Sequence, residues 1–146
     1  MIRVLANDGL EASAVKALEA AGAEVVTSHV EQADLGEAVR DYDVLIVRSA
    51  TKVTAEVSEK AKGSKLKLVI RAGVGVDNID IPAANANGIE VKNTPNASSN
   101  SVAELALGHM FALARYIAIS NVTMRNGEWN KKKYEGSEIL DRKSVV

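Results

Sequence analysis

The stretch DVLIVRS, residues 43–49, carries the strongest fold signal in the chain. Four successive apolar residues, 44–47, predict a strand that is buried on both faces, which is typical of a parallel sheet covered by helices on each side. Arg48 and Ser49 follow at the carboxyl end of this strand, and open α/β sheets bind their ligands at that edge. The segment therefore indicates both a fold class and the place of a site.

Strand and helix patterns alternate on both sides of this segment. The predicted strands cover 2–6, 24–27, 43–48, 66–71 and 89–92, and the predicted helices cover about 14–21, 32–40, 55–61 and 82–86. Alternation at this spacing is typical of βαβ units, which form a parallel sheet with right-handed crossovers. We predict an α/β fold: a flavodoxin-like, doubly wound, parallel five-stranded sheet in the order 2-1-3-4-5, followed by a long apolar helix.

The long helix is predicted within residues 98–126. Ser101 and Glu104 match a capping box, and the helix is expected to run from there to about Arg125. Its apolar side chains spread over more than the ~100° stripe of a surface helix, so a second domain or a second subunit is needed to cover them. His109 lies in this apolar stretch and is expected to be packed or hydrogen-bonded.

Composition excludes several classes of function. Of the 146 residues, 47% are apolar and 25% charged, which is the balance of a globular protein. Eighteen basic and 19 acidic residues give a net charge of −1, which argues against nucleic-acid binding and against a polybasic membrane anchor. The sequence has no cysteine, no signal-peptide core and no charge-free run of ~18 apolar residues, which favours a cytoplasmic protein.

The segment RAGVGVDN, residues 71–78, follows the fourth predicted strand and contains the G-x-G pair Gly73 and Gly75. It fails as a dinucleotide-binding fingerprint, because Asn78 stands where the third glycine belongs and the next helix starts late. The segment instead predicts a loop whose backbone N–H groups bind a carboxylate. A tight turn that only requires small residues is the alternative.

Arg48 offers a guanidinium beside the hydroxyls of Ser49 and Thr51, a combination that suits a phosphate or a carboxylate. A surface arginine in a solvated loop is the alternative. A third loop, NTPNASS at 93–99, follows the fifth strand and is rich in turn and capping residues. Three such loops at one edge of the sheet favour a binding site.

The sequence shows this binding chemistry without an evident acid–base group. It contains no recognisable Ser-His-Asp set, carboxylate pair or metal-ligand cluster, and neither His29 nor His109 has a partner pattern for metal binding or nucleophilic catalysis. We therefore assign no catalytic residue and no metal ligand in this chain.

Four collinear segments resemble the D-isomer-specific 2-hydroxyacid dehydrogenase family. They are LIVRSATKVT (45–54), LKLVIRAGVGVDNIDIPAANANGIEVKNTP (66–95), SVAELALGHMFALAR (101–115) and NGEWNKKKYEGSEI (126–139). The resemblance implies that residues 1–97 are a substrate-binding, or lid, domain and that the helix at 98–126 crosses into a nucleotide-binding domain. The polar tail, 127–146, would be the start of that second domain.

The resemblance also implies roles for residues that contact a small phosphorylated 2-hydroxy acid. Arg48 and Ser49 would hold its phosphate end, and the backbone amides of Val74 and Gly75 would grip its carboxylate. Ser98 stands where many members of the family carry a substrate-contacting asparagine.

The implied cofactor is NAD. Val74 would touch it, and Val102 would lie near its nicotinamide ring. The family's G-x-G-x-x-G loop would follow closely after residues 139–140, where this chain runs DRKSVV, 141–146. The catalytic arginine, glutamate and histidine of the family would lie further on, so NAD would be bound mainly by a domain that the chain lacks. We expect a truncated product that is inactive alone.

The complete protein is expected to be a cytoplasmic, NAD-dependent dehydrogenase that forms a homodimer through the 101–125 helix. Two alternatives remain open from the sequence. One keeps the family but changes the substrate to glyoxylate, lactate or a similar 2-oxo acid. The other is a non-enzymatic, ligand-binding regulator with the same fold.

Overall fold

The computed structural model describes residues 1–140 and divides into two compact units, with the boundary between Ala97 and Ser98. The segment 141–146, at which the resemblance predicts a departure from a glycine-rich loop, lies outside the described residues.

The first unit is built on five parallel strands. They are β1 (Ile2–Ala6), β2 (Ala23–Val26), β3 (Val44–Val47), β4 (Leu68–Arg71) and β5 (Glu90–Asn93). Their order in the sheet is β2-β1-β3-β4-β5, so the predicted α/β class and strand order are both confirmed. Each strand boundary lies within two residues of its prediction.

Four helices connect these strands. They are α1 (Ala12–Ala20), α2 (Leu35–Ala38, continued by a 3-10 turn at Val39–Asp41), α3 (Ala55–Lys60) and α4 (Ile81–Ala86). The helix predicted over 32–40 begins three residues late. The side chain of Gln32 instead pairs with the backbone of Lys52, accepting from its N–H at 3.1 Å and donating to its carbonyl at 2.8 Å.

Side chains alternate along the strands and form a separate core on each face of the sheet. One core contains Leu5, Leu45, Val47 and Val69 with Leu35 of α2, Val57 of α3 and Ala84 of α4. The other contains Val4, Ala6 and Ile46 with Leu18 of α1. Strand β3 is thus buried on both faces, as its run of apolar residues predicted.

The second unit contains two helices where one was predicted. They are α5 (Ser99–Ala114) and α6 (Ile117–Arg125), and they are bent by 59° at a break. The prediction of one continuous helix over 101–125 is therefore wrong. Tyr116 adopts the left-handed conformation, with φ at 54°, and the carbonyl of Ala114 accepts a hydrogen bond from the Ser137 amide at 2.9 Å. A continuous helix would need that carbonyl for its own next turn.

The helix starts within the predicted range 98–126, but the capping box predicted for its first turn is wrong. Ser98 occupies the N-cap position without a capping bond from its side chain, and Ser101 already lies inside the first turn, so the Ser101–Glu104 capping box does not form. The second helix ends at Arg125, as predicted, and Gly127 follows it with φ at 81°. Between 128 and 140 the described chain has no helix or strand.

The apolar side chains of α5 and α6 are largely exposed. The exposed set comprises Val102, Leu105, Leu107, Met110, Phe111, Leu113, Ile117, Ile119, Val122 and Met124. His109 is exposed as well, so the expectation that it is packed is wrong for this chain. Over residues 1–140 no single helix is long and apolar enough to cross a membrane. Only the bent pair α5 and α6, taken together, meets both criteria.

Candidate functional site

The loop after β3 presents Arg48 and Ser49 at the carboxyl edge of the sheet. The Ala72 amide donates to the Val47 carbonyl at 2.8 Å, so the pairing of β3 with β4 continues to the point where both loops begin. Arg48 and Ser49 are exposed, whereas Thr51 is buried. Among the described residues, neither the Arg48 guanidinium nor the Ser49 hydroxyl has a hydrogen-bond partner.

The glycine loop after β4 lies at the same edge. The Arg71 guanidinium packs so closely over Gly73 that a Cβ there would lie 1.3 Å from its Nη1. Val74 and Gly75 are exposed, and within residues 1–140 their backbone amides donate to no protein acceptor. Asn93 at the end of β5 donates from its Nδ2 to the Val74 carbonyl at 2.7 Å, which attaches the glycine loop to a third strand.

Asn78 connects the two loops. Its Nδ2 donates to the carbonyls of Arg48 at 2.9 Å and of Thr51 at 2.7 Å. Its own carbonyl accepts from the Val53 amide at 2.8 Å, and Val53 pairs with Ile79 in an isolated parallel bridge. The residue that breaks the dinucleotide fingerprint therefore holds Arg48 beside the glycine loop, which a glycine could not do because it has no side chain.

Asp8 holds the Arg48 loop from the other side. Its Oδ2 accepts from the backbone amides of Arg48 at 2.6 Å and of Thr51 at 3.1 Å, and its Oδ1 accepts from the Thr51 hydroxyl. Partial burial alone would raise the pKa of the Asp8 carboxyl. The hydrogen bonds from Thr51 and Arg48 outweigh that effect, and the pKa lies below its ordinary value of 3.8.

Asn7 completes this set of contacts and is buried. Its Nδ2 donates to the Thr51 hydroxyl at 2.9 Å and to the Val30 carbonyl at 3.1 Å, and its Oδ1 accepts from the Val30 amide at 2.7 Å. Neither Asn7 nor Asp8 is among the residues predicted from the sequence. Their signal was a polar pair directly after β1, at the sheet edge where the other loops were expected.

An open cleft of about 550 Å³ lies beside these loops. It is lined by residues 52–55 and 77–80, so none of the predicted substrate-binding residues lines it. The predicted donors of the first unit lie instead on the exposed surface of the two loops.

The last two predicted positions, Ser98 and Val102, belong to the second unit. Ser98 precedes α5 and is exposed, with no capping bond from its side chain. Val102 lies in the first turn of α5 with 61% of its side chain exposed.

The described residues do not fit the pyrophosphate of a dinucleotide. Such a site needs a glycine-rich loop that runs directly into a helix N-terminus. Here Asn78 replaces the third glycine, and the next helix starts only at Ile81 and is six residues long. For metal ions, the part of the chain from 1 to 140 contains no group of three or more His, Asp or Glu side chains placed to hold one.

The chain belongs to the D-isomer specific 2-hydroxyacid dehydrogenases, because the profile of their catalytic domain matches residues 4–136. It is 48% identical over 142 residues to the D-3-phosphoglycerate dehydrogenase of Methanocaldococcus jannaschii, covering 97% of this chain and 27% of that protein. It is 47% identical over 141 residues to the hydroxypyruvate reductase of Thermotoga maritima, covering 96% of this chain and 45% of that protein. The chain thus spans about a quarter to less than half of these relatives.

Two solved structures share the fold and contain a nicotinamide cofactor. An acyclic imino acid reductase in complex with NADPH and D-Arg is 28% identical with a TM-score of 0.84, covering 96% of this chain and 46% of that one. The NAD+-bound 3-phosphoglycerate dehydrogenase of Entamoeba histolytica is 37% identical with a TM-score of 0.65, covering 78% of this chain and 39% of that one. A nicotinamide cofactor is therefore indicated for the family to which the chain belongs.

Proposed function

We propose that this chain is the substrate-binding portion of an NAD-dependent D-3-phosphoglycerate dehydrogenase, which oxidises 3-phosphoglycerate to 3-phosphohydroxypyruvate in serine biosynthesis. The identity to the Methanocaldococcus jannaschii enzyme supports this substrate. Because the chain spans 27% of that relative, the activity is proposed for the complete protein. The chain alone is expected to be inactive, since none of its described residues forms an acid–base site.

The observation that carries the proposal is a set of four donors, on two connected loops, that have no partner among residues 1–140. The Arg48 guanidinium and the Ser49 hydroxyl project from one loop, and the amides of Val74 and Gly75 are free on the other. The substrate carries a phosphate at one end and a carboxylate at the other. A guanidinium suits the phosphate, and adjacent backbone N–H groups suit the carboxylate.

The work proposed for these residues is binding and orientation. Holding both ends of the substrate fixes its hydroxyl-bearing carbon, and closure of a lid over it excludes water. Ser98 is proposed to contact the substrate, Val74 is proposed to touch the cofactor, and Val102 is proposed to lie near the nicotinamide ring. The phosphates of NAD need groups that residues 1–140 do not supply. We propose that a nucleotide-binding domain of the complete protein supplies them.

Removal of the Arg48 side chain tests the proposal in the complete dehydrogenase. Arg48→Ala should raise KM for 3-phosphoglycerate by about 10- to 150-fold, because a charge-assisted hydrogen bond is lost, and should raise KM for D-glycerate much less. Arg40→Ala is the matched control, since Arg40 is an exposed arginine before β3, at the other edge of the sheet. Equal effects of Arg48→Ala on both substrates would show that Arg48 has only a structural role.

A second candidate substrate is favoured by one comparison. The hydroxypyruvate reductase of Thermotoga maritima is 47% identical to this chain, nearly as close as the phosphoglycerate enzyme. An unphosphorylated substrate of this kind would leave Arg48 without a phosphate to bind. The ratio of kcat/KM for 3-phosphoglycerate to that for D-glycerate distinguishes the two candidates.

We also propose that the complete protein is a homodimer through the segment 101–125. The exposure of its apolar side chains supports this association. The cytoplasmic location stays a prediction.

A further inference from the structure

The position of the Arg48 guanidinium depends on its backbone. Within the described part of the chain, the Arg48 side chain donates to no acceptor. Its position is therefore set by the main chain of Arg48 alone. That main chain is held at two points: the Arg48 amide donates to Asp8 at 2.6 Å, and the Arg48 carbonyl accepts from Asn78 at 2.9 Å. Both partners lie far away in sequence.

Asp8 makes the larger share of these contacts. Its carboxylate receives two backbone N–H groups and one hydroxyl, which come from Arg48 and Thr51. These bonds close the loop from 48 to 51 into a turn around one charged group. Hydrogen bonds to a charged acceptor are about twice as strong as neutral ones, so this turn is stiffer than a loop held by backbone bonds alone.

We infer that Asp8 is a positioning residue for anion binding: its carboxylate fixes the Arg48–Thr51 loop so that Arg48 and Ser49 face the substrate's phosphate, without touching the substrate itself. The inference rests on the proposed function, because it takes the anion-binding role of Arg48 from there. Asp8 keeps its negative charge near a site for an anion, but both of its carboxylate oxygens accept hydrogen bonds from the loop itself, from Arg48 and Thr51.

The test measures anion binding by the 146-residue chain itself. The ¹⁵N-labelled chain is titrated with 3-phosphoglycerate, and the amide resonances of Arg48, Ser49, Val74 and Gly75 report the dissociation constant. Asp8→Asn should weaken binding by about tenfold, because an amide nitrogen replaces one acceptor and meets the donors of the loop. In the complete dehydrogenase the same change should raise KM by a similar factor and leave kcat within about twofold.

Asp43→Asn is the matched control. Asp43 also accepts a backbone amide from a residue 40 positions away, that of Arg3 at 2.8 Å, but it precedes β3 and lies at the other edge of the sheet. Asp43→Asn should change the dissociation constant by no more than about twofold, because Asp43 is distant from the Arg48 loop and shares no hydrogen-bond partner with it. An equal weakening by Asp8→Asn and Asp43→Asn would show general damage to the fold and would overturn the inference.

Thr51 provides a second pair of variants if Asp8→Asn does not fold. Thr51→Val removes the hydroxyl that donates to Asp8 and accepts from Asn7, whereas Thr51→Ser keeps it, so binding should weaken only in the valine variant. Equal affinity of the two variants overturns the inference.

The Arg48→Ala chain separates failure of the inference from failure of the proposed function. If Arg48→Ala loses affinity but Asp8→Asn binds as tightly as the native chain, the inference alone is wrong. If the native chain does not respond to 3-phosphoglycerate, or Arg48→Ala binds it equally well, the proposed function is wrong and the inference fails with it.

Discussion

At the scale of single residues, Asp8 connects the stability of the chain to pH. Its pKa is lower in the folded chain than the ordinary 3.8, because the bonds from Thr51 and Arg48 outweigh the opposing effect of burial. The folded state therefore binds this proton less tightly than the unfolded state does. Such a group stabilises the fold fully above the unfolded pKa, and that contribution is lost as the pH falls through the lower, folded pKa.

The difference in free energy of unfolding between the native chain and Asp8→Asn should therefore depend on pH. It should be constant from neutral pH down to about pH 5 and shrink as the pH falls through and below 3.8. Urea denaturation at a series of pH values measures it. Glu19→Gln, a change at an exposed residue of α1, is the control. A difference that stays the same down to pH 3 would contradict the role of the Asp8 charge.

At the scale of elements, local sequence pattern predicts what local physics determines. The apolar run of β3 and the alternation of strands with helices are enough for the sheet and its order, and these place Arg48 and Val74 at the carboxyl edge. A local pattern places Asp8 after β1, but its hydrogen-bond partners lie 40 and 43 positions away and no local pattern predicts them. The helix break at Tyr116 is likewise not predicted, since the Ser137 amide that binds the Ala114 carbonyl lies far along the chain.

Two substitutions at Tyr116 distinguish a broken helix from a continuous one. Both Tyr116→Gly and Tyr116→Ala remove the ring that contacts Tyr134, with centroids 5.9 Å apart, so that loss cancels between them. At the left-handed φ of 54°, the glycine variant should be more stable than the alanine variant by about 1 kcal/mol or more. The reason is that the Cβ of alanine lies too close to the following carbonyl oxygen in this conformation. Within a continuous helix alanine would be better by about 1 kcal/mol.

The sign of the difference in free energy of unfolding between Tyr116→Gly and Tyr116→Ala therefore distinguishes the two structures. The free energies of unfolding of the two variants are compared by urea denaturation, and Gly127→Ala serves as a reference for a glycine already at positive φ. A more stable Tyr116→Ala would mean that the helices join in solution, as the sequence pattern alone predicts.

At the scale of the whole molecule, the two units differ in how far their apolar side chains are buried. The first unit encloses them on both faces of its sheet, whereas α5 and α6 leave theirs exposed. Leu105 is 60% exposed, Phe111 47% and Leu113 78%. Contiguous apolar surfaces beyond a few hundred Å² are rare on monomers and indicate an interaction surface.

We therefore expect the 146-residue chain to self-associate through α5 and α6, as a symmetric dimer or by exchange of these helices between two copies. Burial of this surface in the second copy removes apolar area from water, and each Å² removed contributes about 25 cal/mol before the entropy of association is counted. Sedimentation velocity at micromolar concentration should show a dimer for the native chain and a monomer for Leu105→Glu, Phe111→Glu and Leu113→Glu. Ile2→Glu, at a similarly exposed apolar residue of the first unit, should remain dimeric. A native chain that sediments as a monomer would contradict this expectation and remove the support for a dimer through this segment.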